Sequence, residues 1–356
     1  RNTDTTSLGD WTEDKKKFPD GLQSLAEKVK QKGIDFGIWF EPEMISRESD
    51  LYREHPDWVI RSPLYEPILS RHQLVLDLSN PAVCEYLIDA VSKVLVPGNI
   101  SYVKWDMNRH LTDLGSAYLD RKNQNELSHR YVLGLYQVME TLTERFPQVL
   151  FESCSSGGGR FDAGMLYYMP QTWTSDNTDA VCRLKIQYGT SFLFPTVTMG
   201  AHVSACPNHQ VGRTTSLATR FAVAAAGNLG YELDLKKLSK EEKEEVREQI
   251  AEYKRRRRTV QFGTYYRLTD SFQDNQSAWN IVSEDGMDVI FTHVQILARS
   301  AYRVPVIRLK GLDPDAVYID CETGQEYGGD ELMYAGIRIP RIRQDFSSTT
   351  MVLRRS

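Results

Sequence analysis

Apolar residues recur at helical spacing between positions 20 and 32, where Leu22, Leu25 and Val29 share one side. Asp20 before them and Gly33 after them predict an amphipathic helix with a defined start and stop. The pattern then shortens to Ile34-Asp-Phe-Gly-Ile-Trp-Phe-Glu41, which ends at Pro42. An apolar run of that length, closed by a breaker, predicts a strand. The alternation repeats down the chain. Strands are predicted at 72–78, 101–106, 149–154, 171–176 and 192–203. Helices are predicted at 81–96, 118–146, 179–189 and 214–226, the first of them opened by Asn80 as N-cap and Pro81 in the first turn.

Strands alternating with helices, each strand ending in polar residues, predict parallel βαβ units, and the best architecture is a (β/α)8 barrel. Six strands are counted, at about 36, 73, 101, 149, 171 and 192, where a closed barrel needs eight. The expectation is a barrel lacking its first two strands, the chain beginning in the loop after the second. A highly charged helix over 240–258 follows, acids first and bases last, as the helix dipole prefers. From 265 on the pattern changes to short β runs at 278–282, 287–296, 304–309, 317–321, 337–339 and 349–353, separated by glycine-containing turns. That predicts a C-terminal antiparallel β-sandwich. The expected domains are therefore an incomplete barrel at 1–265 and a sandwich at 266–356.

Composition narrows the partners. Of 356 residues, 41% are hydrophobic, enough for real cores, and the net charge of -5 disfavours nucleic acid, which needs a basic face. The single basic run, 254–258, closes an acidic helix and balances it. No apolar stretch approaches the roughly 20 residues that span a bilayer, and Arg1-Asn-Thr-Asp-Thr-Thr has no signal-peptide core. Five scattered cysteines without CxxC spacing disfavour both a disulfide scaffold and a zinc ribbon, so the cytoplasm is the default compartment.

Acids collect at the predicted strand ends: Glu41, Glu43, Asp77, Asp106, Glu152, and Asp176 with Asp179. Histidines make neither HxH nor HExxH spacing, so no metal is expected. Carboxylates together with Trp39, Trp105 and Trp173 suit a sugar: paired carboxylates stabilise an oxocarbenium-like transition state and indole faces pack on pyranose C–H faces. Asp106 and Asp176 end strands two apart in the count, roughly 10 Å at ~4.8 Å per strand. Inward-leaning side chains fit either a retaining or an inverting glycosidase, and spacing alone does not choose. Lys104, on the same strand face as Asp106, favours an ionised nucleophile, whereas Asp176 has no cation near it in sequence and suits the acid/base role. Gly157-Gly-Gly159 is either a close backbone approach to a sugar or a plain turn. Cys154 is a packing residue or a substrate contact, and Arg71 a substrate donor or a surface ion pair. Glu41, Glu43 and Glu152 are expected to hold the groups that touch substrate rather than to react.

Four ordered motifs carry a resemblance: Ile38-Trp-Phe-Glu-Pro-Glu-Met44, Tyr102-Val-Lys-Trp-Asp-Met-Asn-Arg109, Phe151-Glu-Ser-Cys-Ser-Ser-Gly-Gly-Gly-Arg-Phe-Asp162 and Trp173-Thr-Ser-Asp-Asn-Thr-Asp-Ala180. Together they resemble glycoside hydrolase family 36, the microbial α-galactosidases or melibiases, over residues 4 to about 265, and the remainder resembles that family's terminal β-sandwich. The resemblance implies retaining hydrolysis of terminal α-1,6-linked galactose from melibiose- or raffinose-type oligosaccharides, without a cofactor, in a homotetramer. It implies Asp106 as nucleophile and Asp176 as acid/base, with Trp39, Arg71, Lys104, Asn108, Cys154 and Gly157 contacting galactose. Family members begin with a large β-sandwich and two further barrel strands, the second ending in a sugar-binding Asp-Asp pair, none of which is in this chain. The expectation is a C-terminal portion of a longer α-galactosidase, inactive alone and exposing an open sheet edge. The alternatives are an α-N-acetylgalactosaminidase or galactosyl transferase on the same scaffold, or a non-catalytic sugar-binding fragment.

Overall fold

The computed structural model describes residues 3, 5–300 and 304–356, so the N-terminal stretch inspected for a signal peptide lies partly outside the described residues. The chain divides into two compact units, Arg1–Thr172 and Trp173–Ser356.

The first unit runs α1 (Gly21–Lys30), β1 (Phe36–Phe40), β2 (Met44–Ile45), α2 (Asp50–Glu54), β3 (Leu74–Val75), α3 (Pro81–Leu95), β4 (Ile100–Asp106), α4 (Leu127–Arg145), β5 (Leu150–Cys154), α5 (Ala163–Tyr168) and β6 (Gln171–Trp173). Neighbours β1–β4, β4–β5 and β5–β6 are all parallel. Local signals set several helix ends as expected. The Asn80 side chain accepts from the Ala82 N–H with Pro81 in the first turn of α3, and Gly33 takes a positive φ of 74° after α1. Asp20 makes no side-chain cap; the Leu22 N–H donates to Glu13 Oε1 instead (3.1 Å).

The strand expected at 72–78 is not a barrel strand. Arg71 and His72 both have positive φ (54° and 61°), and the chain leaves this turn as the two-residue β3, which pairs antiparallel with β2. Leu74, Val75, Leu76 and Leu78 are buried, so the run is apolar because it is covered, which periodicity alone does not separate from a sheet strand. Asp77, expected as a strand-end acid, accepts from the Ser79 amide (3.0 Å) and from the hydroxyls of Ser79 and Ser116.

Gly134 marks a very close backbone approach. A Cβ there would lie 1.9 Å from the Leu78 carbonyl oxygen and 3.1 Å from Cys84 Sγ, so α4 approaches the start of α3 only because position 134 has no side chain. Gly134→Ala is expected to cost about 3 kcal/mol or more through backbone displacement, read as a lower urea midpoint.

The second unit runs α6 (Ala180–Thr190), β7 (Met199–Ser204), α7 (Leu217–Ala224), β8 (Asn228–Glu232), α8 (Lys240–Phe262), then β9 (Thr264–Arg267), β10 (Gln276–Val282), β11 (Asp288–Gln295), β12 (Val306–Ile307), β13 (Val317–Asp320), β14 (Glu326–Gly328), β15 (Ile337–Arg338) and β16 (Ser347–Arg355). Two departures from the sequence reading occur here. The strand expected from 192 begins only at Met199, because Pro195 leads into a short 3-10 turn and Leu193 is 81% exposed. The structure adds a parallel strand, β8, that the sequence pattern does not predict. Its Gly230 weakens the β signal, yet a Cβ there would meet the His202 ring at 2.5 Å.

The C-terminal β structure is a six-stranded antiparallel sheet, β14-β13-β16-β11-β10-β9, with the separate pair β12-β15. Ala278, Val282, Val289 and Phe291 pack with Ile307, Leu309 and Ile339. Trp279, Ile281, Ile290 and Val294 pack with residues of α6, α7 and α8, including Leu184, Val223 and Tyr253. The layers are thus unequal: the pair covers one face of the sheet and helices cover the other. That explains why β10 and β11 are buried almost throughout rather than at alternate positions.

One buried group in this sheet gives a pH dependence. His293 hydrogen-bonds through Nε2 to Gln276 Oε1 (3.0 Å), and burial pushes its pKa from 6.5 down to about 4. As pH falls the unfolded chain takes up this proton first, so the contribution is fully present above pH 6.5 and is lost between 6.5 and 4. Unfolding at pH 5 is expected to be easier than at pH 7 by about 2 kcal/mol from this group. His293→Gln should flatten that slope in paired denaturant titrations.

Candidate active site

The parallel strands of the first unit align side chains in rows. Trp39, Lys104, Glu152 and Gln171 are successive Cα partners across β1, β4, β5 and β6, and Asp106 and Cys154 form the next row, two residues further along β4 and β5. A side-chain period of two puts both rows on one face. Asp106 is the last residue of β4 and Cys154 the last of β5, so each strand delivers its polar group where the chain turns into a loop.

Asp106 is only 7% exposed and its carboxylate is oriented from both sides: Trp39 Nε1–H donates to Oδ2 (3.0 Å) and the Met107 N–H to Oδ1 (3.1 Å). Trp39 is 36% exposed, leaving indole surface for a ligand. Burial, and then the negative charge of Asp106, push the Cys154 thiol up, and the thiol is hydrogen-bonded to Asp106. Cys154 is therefore a protonated donor at neutral pH rather than a nucleophile. Lys104 pairs with the buried Glu152 (3.6 Å), whose other oxygen accepts from Gln171 Nε2 (3.0 Å).

The remaining expected contacts surround this row. The Asn108 N–H donates to Glu41 Oε1 (3.2 Å), and Asn108 Oδ1 accepts from the Ser156 hydroxyl (3.3 Å). Burial raises the Glu41 carboxyl; the Asn108 side chain opposes that shift, Asp106 reinforces it and the charge of Arg71 opposes it. Arg71 is thus exposed but electrostatically coupled to this group. The loop after β5 is built from left-handed Ser156 and Gly157 (φ 46° and 91°), and the Gly157 N–H points to Cys154 Sγ (3.4 Å). A Cβ on Gly159 would meet the Ser155 carbonyl oxygen at 2.7 Å, so the loop closes on itself.

Asp176 lies in the second unit, exposed, three residues past β6. Its segment is held by neighbours. Asn177 N–H donates to Ser175 Oγ (3.1 Å), Asp179 caps α6 through the Cys182 N–H, and Arg213 pairs with Asp179. Arg183, buried and not singled out by the sequence, donates to Thr174 Oγ1 (2.7 Å) and stacks over Trp173 at 4.7 Å. Reasoning from sequence also passed over Gln73, Tyr131, Arg160 and Gln171, although Arg160 directly follows the glycine run. Among the described residues no group of three or more His, Cys, Asp or Glu could hold a metal ion, and no helix is long and apolar enough to cross a membrane.

The chain is similar to known proteins throughout. It is 55% identical to alpha-galactosidase AgaA of Geobacillus stearothermophilus, over 98% of this chain and 48% of that protein. It is 49% identical to the bifunctional alpha-galactosidase/sucrose kinase AgaSK of Mediterraneibacter gnavus, over 98% of this chain and 36% of that protein. The crystal structure of the Geobacillus GH36 enzyme AgaA superposes with a TM-score of 0.98 at 54% identity, covering all of this chain and 49% of that one. The chain spans about half the length of the first of these relatives and less of the second. The expected architecture, parallel βα-barrel structure followed by an antiparallel sheet, is that of the GH36 structures. The family model Melibiase matches residues 1–263 and the glycosyl hydrolase family 36 C-terminal domain matches residues 276–353. By these matches the chain belongs to the melibiases of glycoside hydrolase family 36.

Proposed function

We propose that the protein carrying this chain is a retaining α-galactosidase acting on raffinose-type oligosaccharides, with Asp106 as nucleophile and Asp176 as acid/base. The observation that carries the reading is the Asp106 carboxylate itself. It is buried at the end of a parallel strand and oriented by an indole and a backbone N–H beside an exposed tryptophan face. In the double displacement, Asp106 attacks the anomeric carbon while Asp176 protonates the departing glycosidic oxygen; Asp176 then takes a proton from the water that releases galactose. Trp39, Lys104, Asn108, Cys154, Gly157 and Arg71 bind the sugar in this reading. The Geobacillus relative supports it. Its raffinose complex carries an aspartate changed to asparagine and its stachyose complex an aspartate changed to alanine, 70 positions apart. Asp106 and Asp176 have the same separation.

The test is hydrolysis of nitrophenyl α-galactoside, with the anomer of the first-formed sugar read by NMR. Release of α-galactose supports retention, whereas β-galactose first, or a preference for the N-acetylgalactosaminide, overturns the reading. A homotetrameric, cytoplasmic enzyme completes the proposal; light scattering of the purified protein checks the tetramer and cell fractionation the compartment.

A further inference from the structure

One buried carboxylate near the site accepts from three different side chains and touches no substrate in the proposed reaction. Glu43 is 0% exposed. Its Oε1 accepts from Trp105 Nε1 (2.8 Å) and one Arg160 nitrogen (2.7 Å), and its Oε2 from the other Arg160 nitrogen (2.9 Å) and the Tyr131 hydroxyl. Burial first, and the Glu43 charge second, raise Tyr131 well above its ordinary value, so it stays a donor. Burial alone would lower Arg160, but the charge and hydrogen bond of Glu43, together with Tyr131 and Asp106, outweigh it and the net shift is upward, so the guanidinium stays charged.

Two of these donors belong to different walls of the site. Trp105 immediately precedes Asp106 on β4 and points to the opposite face of the sheet, so fixing its indole fixes the backbone that presents the carboxylate. Arg160 immediately follows the glycine loop that carries Gly157. Two residues before Glu43, Glu41 accepts from the Asn108 amide, so Glu41-Pro-Glu43 grips the Asp106 segment on both sides. Pro42 between them limits the freedom of that grip.

From this geometry, and resting on the reading of Asp106 as nucleophile, we infer that Glu43 is a positioning residue. It sets the Asp106 strand end and the Gly157 loop in one fixed relation, through Trp105 and Arg160 respectively. Tyr131, the remaining donor, lies on α4 and carries neither wall.

The experiment is a kinetic split in the protein carrying this chain, on nitrophenyl α-galactoside. Trp105→Phe, which removes the indole N–H together with part of the ring, should lower kcat with little change in KM, because the nucleophile loosens. Arg160→Lys, which loses the two-pronged contact, should raise KM more than it lowers kcat. Glu43→Gln should do both, with kcat down about 100-fold. The combination of Trp105→Phe with Glu43→Gln should be no worse than Glu43→Gln alone. Tyr131→Phe should leave both constants near wild type. Wild-type kinetics in Glu43→Gln, a Tyr131→Phe loss equal to that of Trp105→Phe, or additive effects of Trp105→Phe and Glu43→Gln would overturn the inference. If Glu43→Gln does not fold, the split between the Trp105→Phe and Tyr131→Phe variants decides. If the wild type turns over no galactoside, the functional reading fails separately. Amide exchange then tests the positioning: Trp105→Phe should speed exchange at Met107 and Asn108, Arg160→Lys at 156–158, and unchanged exchange overturns it.

Discussion

Asp106→Ala in the protein carrying this chain is expected to lower kcat on an aryl α-galactoside by roughly 10^4- to 10^6-fold, the scale of losing a covalent nucleophile. The loss should exceed anything attributable to folding. Removing the carboxylate leaves the Trp39 N–H and the Met107 N–H without their acceptor, a stability cost of about 1–3 kcal/mol each at most, visible in a melt. Azide separates the two effects. Added to the variant, it occupies the space left by the carboxylate and attacks the same face of the anomeric carbon, forming β-galactosyl azide as the nitrophenolate leaves. A variant that melts like wild type yet hydrolyses at least a tenth as fast as wild type, or one that yields the α-azide, contradicts the assignment.

Asp176→Ala should show the complementary chemistry. Without a proton donor, raffinose, whose leaving group is a sugar hydroxyl, should be cleaved roughly 10^2- to 10^4-fold more slowly. An aryl galactoside with an acidic phenol needs little protonation, so its first step should survive. Release from Asp106 then lacks a base, and the phenol should appear as a burst of one equivalent followed by slow turnover. Azide here attacks the galactosyl-enzyme from the opposite face and gives α-galactosyl azide, the reverse anomer to the Asp106 variant. Equal losses on raffinose and on the activated aryl substrate, with no burst, would remove Asp176 from the acid/base role. The segment is exposed and the side chain is not a helix cap, that place being taken by Asp179, so little change in stability is expected.

The parts of the fold that were legible in advance are those whose cause is local. Asn80 and Pro81 start α3 wherever that helix sits, and the run from Ile34 to Glu41 stops at Pro42 for reasons confined to those residues. The strand ends at Asp106 and Cys154 were legible for the same reason, as polar groups interrupting apolar runs. What failed was partner choice. Residues 72–78 read as a sheet strand because burial makes any covered segment apolar, and only the left-handed turn at Arg71 and His72 sends them to β2 instead. β8 read as nothing because its Gly230 is required by the ring of His202, 28 positions earlier in the chain.

The site divides in the same way. The four motifs by themselves determined the family and the candidate chemistry of Asp106 and Asp176, since residue type and order along a strand end are sequence properties. Which groups Glu43 holds was decided by tertiary structure alone. Its donors stand 62, 88 and 117 positions away in the chain, and no local pattern ranks it above Glu41 or Glu152. A carboxylate's function depends on which donors the fold brings to it and how dry it becomes there, and both are set by packing between distant segments.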